Sequence, residues 1–130
     1  MTIERRIAGK ARDLVSMQIE KTPKHEAETD YRSVCEGLPI LLRNAGLLQT
    51  VAFLKAKHDK QETIYQHLET QLRNLGFLNT SESLIGKVTG PDLTMPQYRF
   101  LSEIVMLVAY WQKRMAQALL RPAEKEQVRR

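Results

Sequence analysis

The chain has 130 residues, 42% of them hydrophobic and 27% charged, with a formal net charge of +5. That length suits one domain with one real core, and the charge suits a polyanionic partner without specifying a site. The single cysteine, Cys35, excludes an internal disulfide and falls short of the several Cys or His ligands a zinc site wants.

No window alternates apolar and polar residues with β-branched enrichment, so the reading is all-α. We expect a single compact helical bundle of about five to six helices over residues 1–122 and a charged flexible tail over 123–130. There is no secretory apolar region at the N-terminus, and no apolar run crosses a bilayer without breakers, so the expected location is cytoplasmic with no membrane partner.

Thr2 caps a first helix running to Lys21, with Glu4 at its positive end. Ile3, Ile7, Ala11, Leu14, Val15 and Gln18 follow one face, and Arg5, Arg6, Lys10 and Arg12 occupy others. Thr22-Pro23 ends that helix and can open the next; alternatively, Lys24 to Asp30 is a loop with Asp30 as the cap. Ala27, Tyr31, Val34, Cys35 and Leu38 then form an apolar face. On that stripe Cys35 is core packing rather than a nucleophile.

Cys35 to Lys57 is the longest nearly continuous apolar run. Gly37, Pro39 and Gly46 break it into two helical pieces that meet at Asn44-Ala45-Gly46. Gly46 suits a left-handed position closing the first piece, and Pro39 starts or kinks a helix. Leu38, Ile40, Leu41, Leu42, Leu47, Leu48, Val51, Phe53 and Leu54 all call for burial. Lys55 shares a face with Leu48 and Val51. It either snorkels over apolar surface or holds a phosphate at a groove.

Asp59 with Glu62 is a capping-box pattern, so a new helix, or a bend in a continuous one, begins there. Ile64, Tyr65, Leu68, Leu72 and Leu75 are its stripe, and Gly76 closes it. Phe77 to Thr94 is irregular, with one short helical turn expected in Ser81 to Lys87. Gly86-Lys87-Val88-Thr89-Gly90 lacks phosphate-loop spacing and a preceding strand. Thr94, Pro96 and Gln97 open the last helix. Its core face is Tyr98, Leu101, Ile104, Val105, Val108, Met115 and Leu119, with Trp111 beside it. Leu120-Arg121-Pro122 stops it.

No catalytic constellation emerges, and neither a metal site nor a cofactor is expected. His25, His58 and His67 stand in polar surroundings, and the acidic residues read as solvated helix faces. The positive features are for binding. Basic clusters recur at Arg5-Arg6 with Lys10 and Arg12, at Arg43, at Lys55 with Lys57, and at Lys113-Arg114. Such cations contact phosphates without reading sequence. Tyr110 and Trp111 can stack on bases, although Trp111 fits better as a core or interface anchor.

Tyr31, Val34, Leu38, Pro39, Ile40, Leu42, Arg43, Asn44, Gly46, Leu47, Gln49, Ala52, Phe53, Leu54 and Lys55 form a pattern that resembles the small helical subunit of type III-B (Cmr) CRISPR effector complexes. A second patch, Trp111, Lys113, Arg114, Ala116, Ala118 and Leu119, resembles the C-terminal helix of the same family. The resemblance implies an all-helical protein without enzymatic activity that stacks in several copies beside the backbone subunits. It would meet the large subunit as well, and its basic face would line the groove where guide RNA and target RNA pair. On position within or beside the two patches, the expected nucleic-acid contacts are Arg43, Lys55, Lys57, Lys113 and Arg114. The alternative is a helical adaptor whose basic surface meets an acidic protein.

Overall fold

Thr2 accepts the Arg5 backbone N–H at 3.2 Å and opens α1 (Ile3–Ser16). The computed structural model describes residues 2–21 and 23–122, so the expected charged tail at 123–130 lies outside the described residues. After α1 come α2 (Glu26–Ala56), α3 (Lys60–Asn74), α4 (Leu84–Thr89) and α5 (Met95–Leu119). The described residues contain no strand, and the fold is an all-α bundle of five helices.

α1 stops at Ser16 and not at Lys21. The cause is a set of side chains that hold residues 17–21 and 23–25 outside any helix; the expected cap Thr22 lies outside the described residues. Glu28 Oε2 accepts the Glu20 N–H at 3.1 Å, the Glu20 carboxylate accepts the Ala27 N–H at 2.9 Å, and His25 Nδ1 bonds the Glu20 carbonyl at 2.9 Å. The other oxygen of Glu28 accepts the Arg121 N–H at 2.6 Å, which ties this loop to the end of α5. Glu28 is therefore a buried hub, not part of a solvated face. Neither Pro23 nor Asp30 opens α2. His25 precedes its first turn with φ 52°, uncommon outside glycine, and gives it no side-chain cap.

Pro39 lies inside α2 without breaking it, and the break comes at Gly46 (φ 84°, ψ 169°). Only glycine takes that backbone region readily. The break strands polar groups that neighbours recover. The Leu48 N–H donates to the Tyr98 hydroxyl of α5 at 3.0 Å, and the buried Thr50 hydroxyl donates to the Leu41 carbonyl at 3.3 Å.

Asp59 precedes α3 but makes no capping hydrogen bond, because its backbone (φ −103°, ψ −138°) is not the usual extended cap conformation. Gly76 (φ 85°) closes α3 as expected, and the Phe77 N–H donates back to the Leu72 carbonyl at 2.9 Å. Ser83 caps α4 through the Gly86 N–H. Thr94 and Gln97 form the reciprocal capping box of α5.

The second helix packs on α5 and α3, and α1 packs on α5. Ile7, Tyr31, Leu38, Val51, Leu54, Ile64, Leu68, Leu72 and Val105 are buried in the shared core. Burying an aliphatic side chain of this kind contributes roughly 1.5–3 kcal/mol relative to leaving it exposed. Not every residue of the apolar run is covered. Ile40 is 54% exposed, Leu48 42% and Phe53 43%, because each falls between the buried positions of its half of α2, Leu38 and Leu42 before Gly46 and Leu47, Val51 and Leu54 after it. Leu119 is also exposed, at the last residue of α5.

A polar chain runs through this core. Tyr31 meets His67 Nδ1 at 2.7 Å and accepts from Gln112 Nε2 at 2.8 Å. Gln71 Nε2 donates to Gln112 Oε1 at 3.1 Å and to the Ile7 carbonyl at 3.0 Å. These bonds pin α1, α2, α3 and α5 together. His67 is thus buried, contrary to its polar sequence neighbours: it follows Ile64 by three residues and joins the α3 stripe.

Candidate nucleic-acid interface

Arg43 ends the first half of α2, and its Nη2 donates to the Tyr110 hydroxyl of α5 at 2.7 Å. Lys113 and Arg114 follow Tyr110 by three and four residues, so they share its helical face. Arg43, Lys113 and Arg114 are thereby gathered along the α2–α5 seam. Arg43 and Arg114 are exposed and Lys113 is half-buried.

Lys55 and Lys57 form a second cluster at the far end of α2. Lys55 Nζ lies 5.2 Å from the Tyr65 ring centroid and Lys57 Nζ 5.4 Å from that of Phe53. The aromatic faces hold these ammonium groups electrostatically while leaving their hydrogen-bond donors toward solvent. Lys55 does snorkel, as the stripe implied: its side chain covers Tyr65 and its residue is exposed. The second half of α2, about 15 Å of helix, separates the two clusters.

Among the described residues none of these five cations forms an ion pair. The Lys and Arg ion pairs are Arg12–Asp13, Arg32–Glu36, Arg73–Glu69 and Lys87–Glu82. The N-terminal basic cluster is partly consumed by the fold, since Arg6 donates to the Asn74 carbonyl and Arg12 pairs with Asp13. Trp111 is also engaged: its indole N–H donates to Glu4 Oε2 of α1 at 3.0 Å. It anchors two helices, in line with its expected role, and is half-buried.

The titratable groups of the core belong to packing. Burial, with Lys60 as a lesser cause, lowers the His67 pKa to about 4, so His67 is neutral and shares a hydrogen bond with the Tyr31 hydroxyl. Burial pushes the Tyr31 phenol and the Cys35 thiol well above their ordinary values. No cluster of three His, Cys, Asp or Glu side chains suited to a metal ion occurs among the described residues. α2 has the length and hydropathy of a membrane span. Yet it is broken at Gly46 and buries Tyr31, Cys35, Leu38, Leu42, Leu47, Val51 and Leu54 within the bundle.

Sequence reasoning missed the Tyr31–His67–Gln112–Gln71 chain. The available signal was the three- and four-residue spacing that sets His67 and Gln71 among Ile64, Leu68 and Leu72. It also missed Tyr98 as the partner of Leu48, for which the sequence carries no signal.

Comparison with known proteins agrees with this architecture. The family model described as CRISPR-associated protein (Cas_Cmr5) matches residues 3–119. A curated relative, the CRISPR system Cmr subunit Cmr5 of Thermus thermophilus, is 29% identical over 103 residues, covering 79% of this chain and 86% of the relative. The crystal structure of a CRISPR-associated Cmr5 family protein from Thermus thermophilus superposes with a TM-score of 0.76 at 29% identity, covering 93% of this chain and all of that one. The family match spans all five helices and both clusters of cations: the chain belongs to the Cmr5 family and is a small subunit of a type III-B Cmr system.

Proposed function

We propose that this protein is a non-catalytic small subunit of a Cmr ribonucleoprotein, present in several stacked copies, whose basic face supports pairing of guide RNA with target RNA. The observation that carries the reading is the set of five cations outside any ion pair among the described residues, in two clusters along α2 and its seam with α5. A cation already paired gains little from a phosphate, whereas these five release counterions on meeting one. The exposed Ile40, Leu48 and Phe53 add apolar surface on α2, suited to contact with a neighbouring copy or with a backbone subunit.

The test is RNA binding at several salt concentrations, alone and with the other Cmr subunits. Arg43→Gln, Lys55→Gln, Lys57→Gln, Lys113→Gln and Arg114→Gln together should weaken binding and flatten its salt dependence. The slope of log affinity against log salt should fall by roughly 0.7 for each single-strand phosphate that is no longer neutralised. An unchanged slope removes these residues from the interface. Absence of any RNA effect in the assembled complex favours a basic face that docks an acidic protein.

A further inference from the structure

A groove of about 900 Å³ opens between the α3–α4 connection, α4 and the start of α5. Nothing in the RNA reading uses it. Its floor is aromatic: Phe77 and Phe100 meet edge to face, ring centroids 5.5 Å apart at 75°. Phe100 is nevertheless 51% exposed. Burial of this ring awaits a partner, and an exposed aromatic in a concave site is a common kind of binding anchor.

The walls are fixed in advance. Arg73 donates to the Asn79 carbonyl at 3.2 Å and to the Glu82 carbonyl at 2.8 Å. Glu69, buried under α4, accepts the Leu84 N–H at 2.8 Å. The Tyr65 hydroxyl accepts the Ile85 N–H at 3.1 Å. A segment irregular in sequence is therefore a rigid wall, and a preformed wall spares a partner the cost of ordering it.

The charged lining residues of the groove are Glu82, Asp92 and Lys87. They leave one net negative charge, opposite in sign to the chain's net +5. Lys87 Nζ lies 3.5 Å from Glu82 Oε2 and is already neutralised. The Asn79 N–H, helped by Lys87, lowers the Glu82 carboxyl below its ordinary pKa, so it stays charged. Asp92 is exposed and has no ion pair among the described residues. With Lys87 and Glu82 paired, Asp92 is the uncompensated charge of the lining, and it favours a cationic group beside an apolar one.

We propose that this groove receives a short polypeptide segment of another Cmr subunit, one that sets an apolar side chain against Phe100 and an Arg or Lys beside Asp92. The source of the segment rests on the chain's place in a Cmr assembly; the chemistry of the segment rests on the groove alone.

Phe100→p-benzoylphenylalanine in the full chain, reconstituted with the other subunits and guide RNA and then irradiated, tests it. The expected product joins position 100 to a segment of another subunit in which an apolar residue neighbours an Arg or Lys. A synthetic peptide of that segment should bind the isolated chain, with Kd raised about tenfold by Phe100→Ala. Asp92→Lys should raise it as well, and Arg114→Gln should leave it unchanged. A crosslink to RNA, to a second copy of this chain or to an acidic segment overturns the proposal. So does an assembled complex that yields no crosslink. A chain that fails to co-assemble overturns the assembly reading and this proposal with it.

Discussion

Gly46 and Gly37 lie in the same helix and answer the same substitution with opposite sign. At Gly46 an added Cβ meets nothing within 4 Å, so the penalty of Gly46→Ala is the backbone at φ 84° and not a clash. We expect a loss of about 1–3 kcal/mol in urea unfolding. Gly37 is helical and exposed, with nothing within 4 Å of its added Cβ. Gly37→Ala should stabilise by about 0.4–1 kcal/mol, chiefly by restricting the unfolded chain. His67 gives the pH dependence. Its pKa is lowered to about 4 in the folded protein from 6.5, so between these values the unfolded chain binds the extra proton. Its contribution is complete above about pH 6.5 and is lost as pH falls toward 4. Urea unfolding across that window should show stability rising with pH, and His67→Gln should flatten the slope.

At the scale of the helix, ends that rest on local chemistry were legible and ends that rest on distant partners were not. Thr2, Gly76 and the Thr94–Gln97 box each act within a few residues, and each closes or opens the helix expected of it. The early stop of α1 depends on Glu28, whose other oxygen binds a backbone N–H 93 residues away. No reading of neighbours reveals that. The candidate interface divides in the same way. Basic residues are visible as such, but Arg43 joins Lys113 and Arg114 only because Tyr110 comes from a helix 67 residues further on. The split of α2 gives its second half an N-terminus of its own, and Tyr98 satisfies one of its donors. Tyr98→Phe should cost about 0.5–1.5 kcal/mol, measured as a lower thermal midpoint.

Over the whole molecule, α5 holds the two candidate sites apart. The acidic aromatic groove lies beside the start of α5, and Lys113 and Arg114 lie beside its finish, about 20 Å of helix from Phe100. RNA affinity and folding should therefore be separable. The five neutralising substitutions touch no ion pair among the described residues. We expect Lys113→Gln and Arg114→Gln each to change unfolding free energy by no more than about 0.5 kcal/mol. Arg43→Gln gives up the Tyr110 hydrogen bond, and Lys55→Gln and Lys57→Gln give up their ring contacts, so each of these should cost about 0.5–1.5 kcal/mol, while the five together weaken RNA binding. Calorimetry on the variant used for the salt series checks this directly.

Trp111 is the single tryptophan of the chain, and its indole donates to Glu4, 107 residues earlier. The protein thus carries its own optical gauge of one joint. Emission from this indole reports whether α1 is seated on α5. A red shift that precedes loss of helical circular dichroism during unfolding would mark α1 as the first helix to leave, and coincident curves would mark the bundle as one cooperative unit.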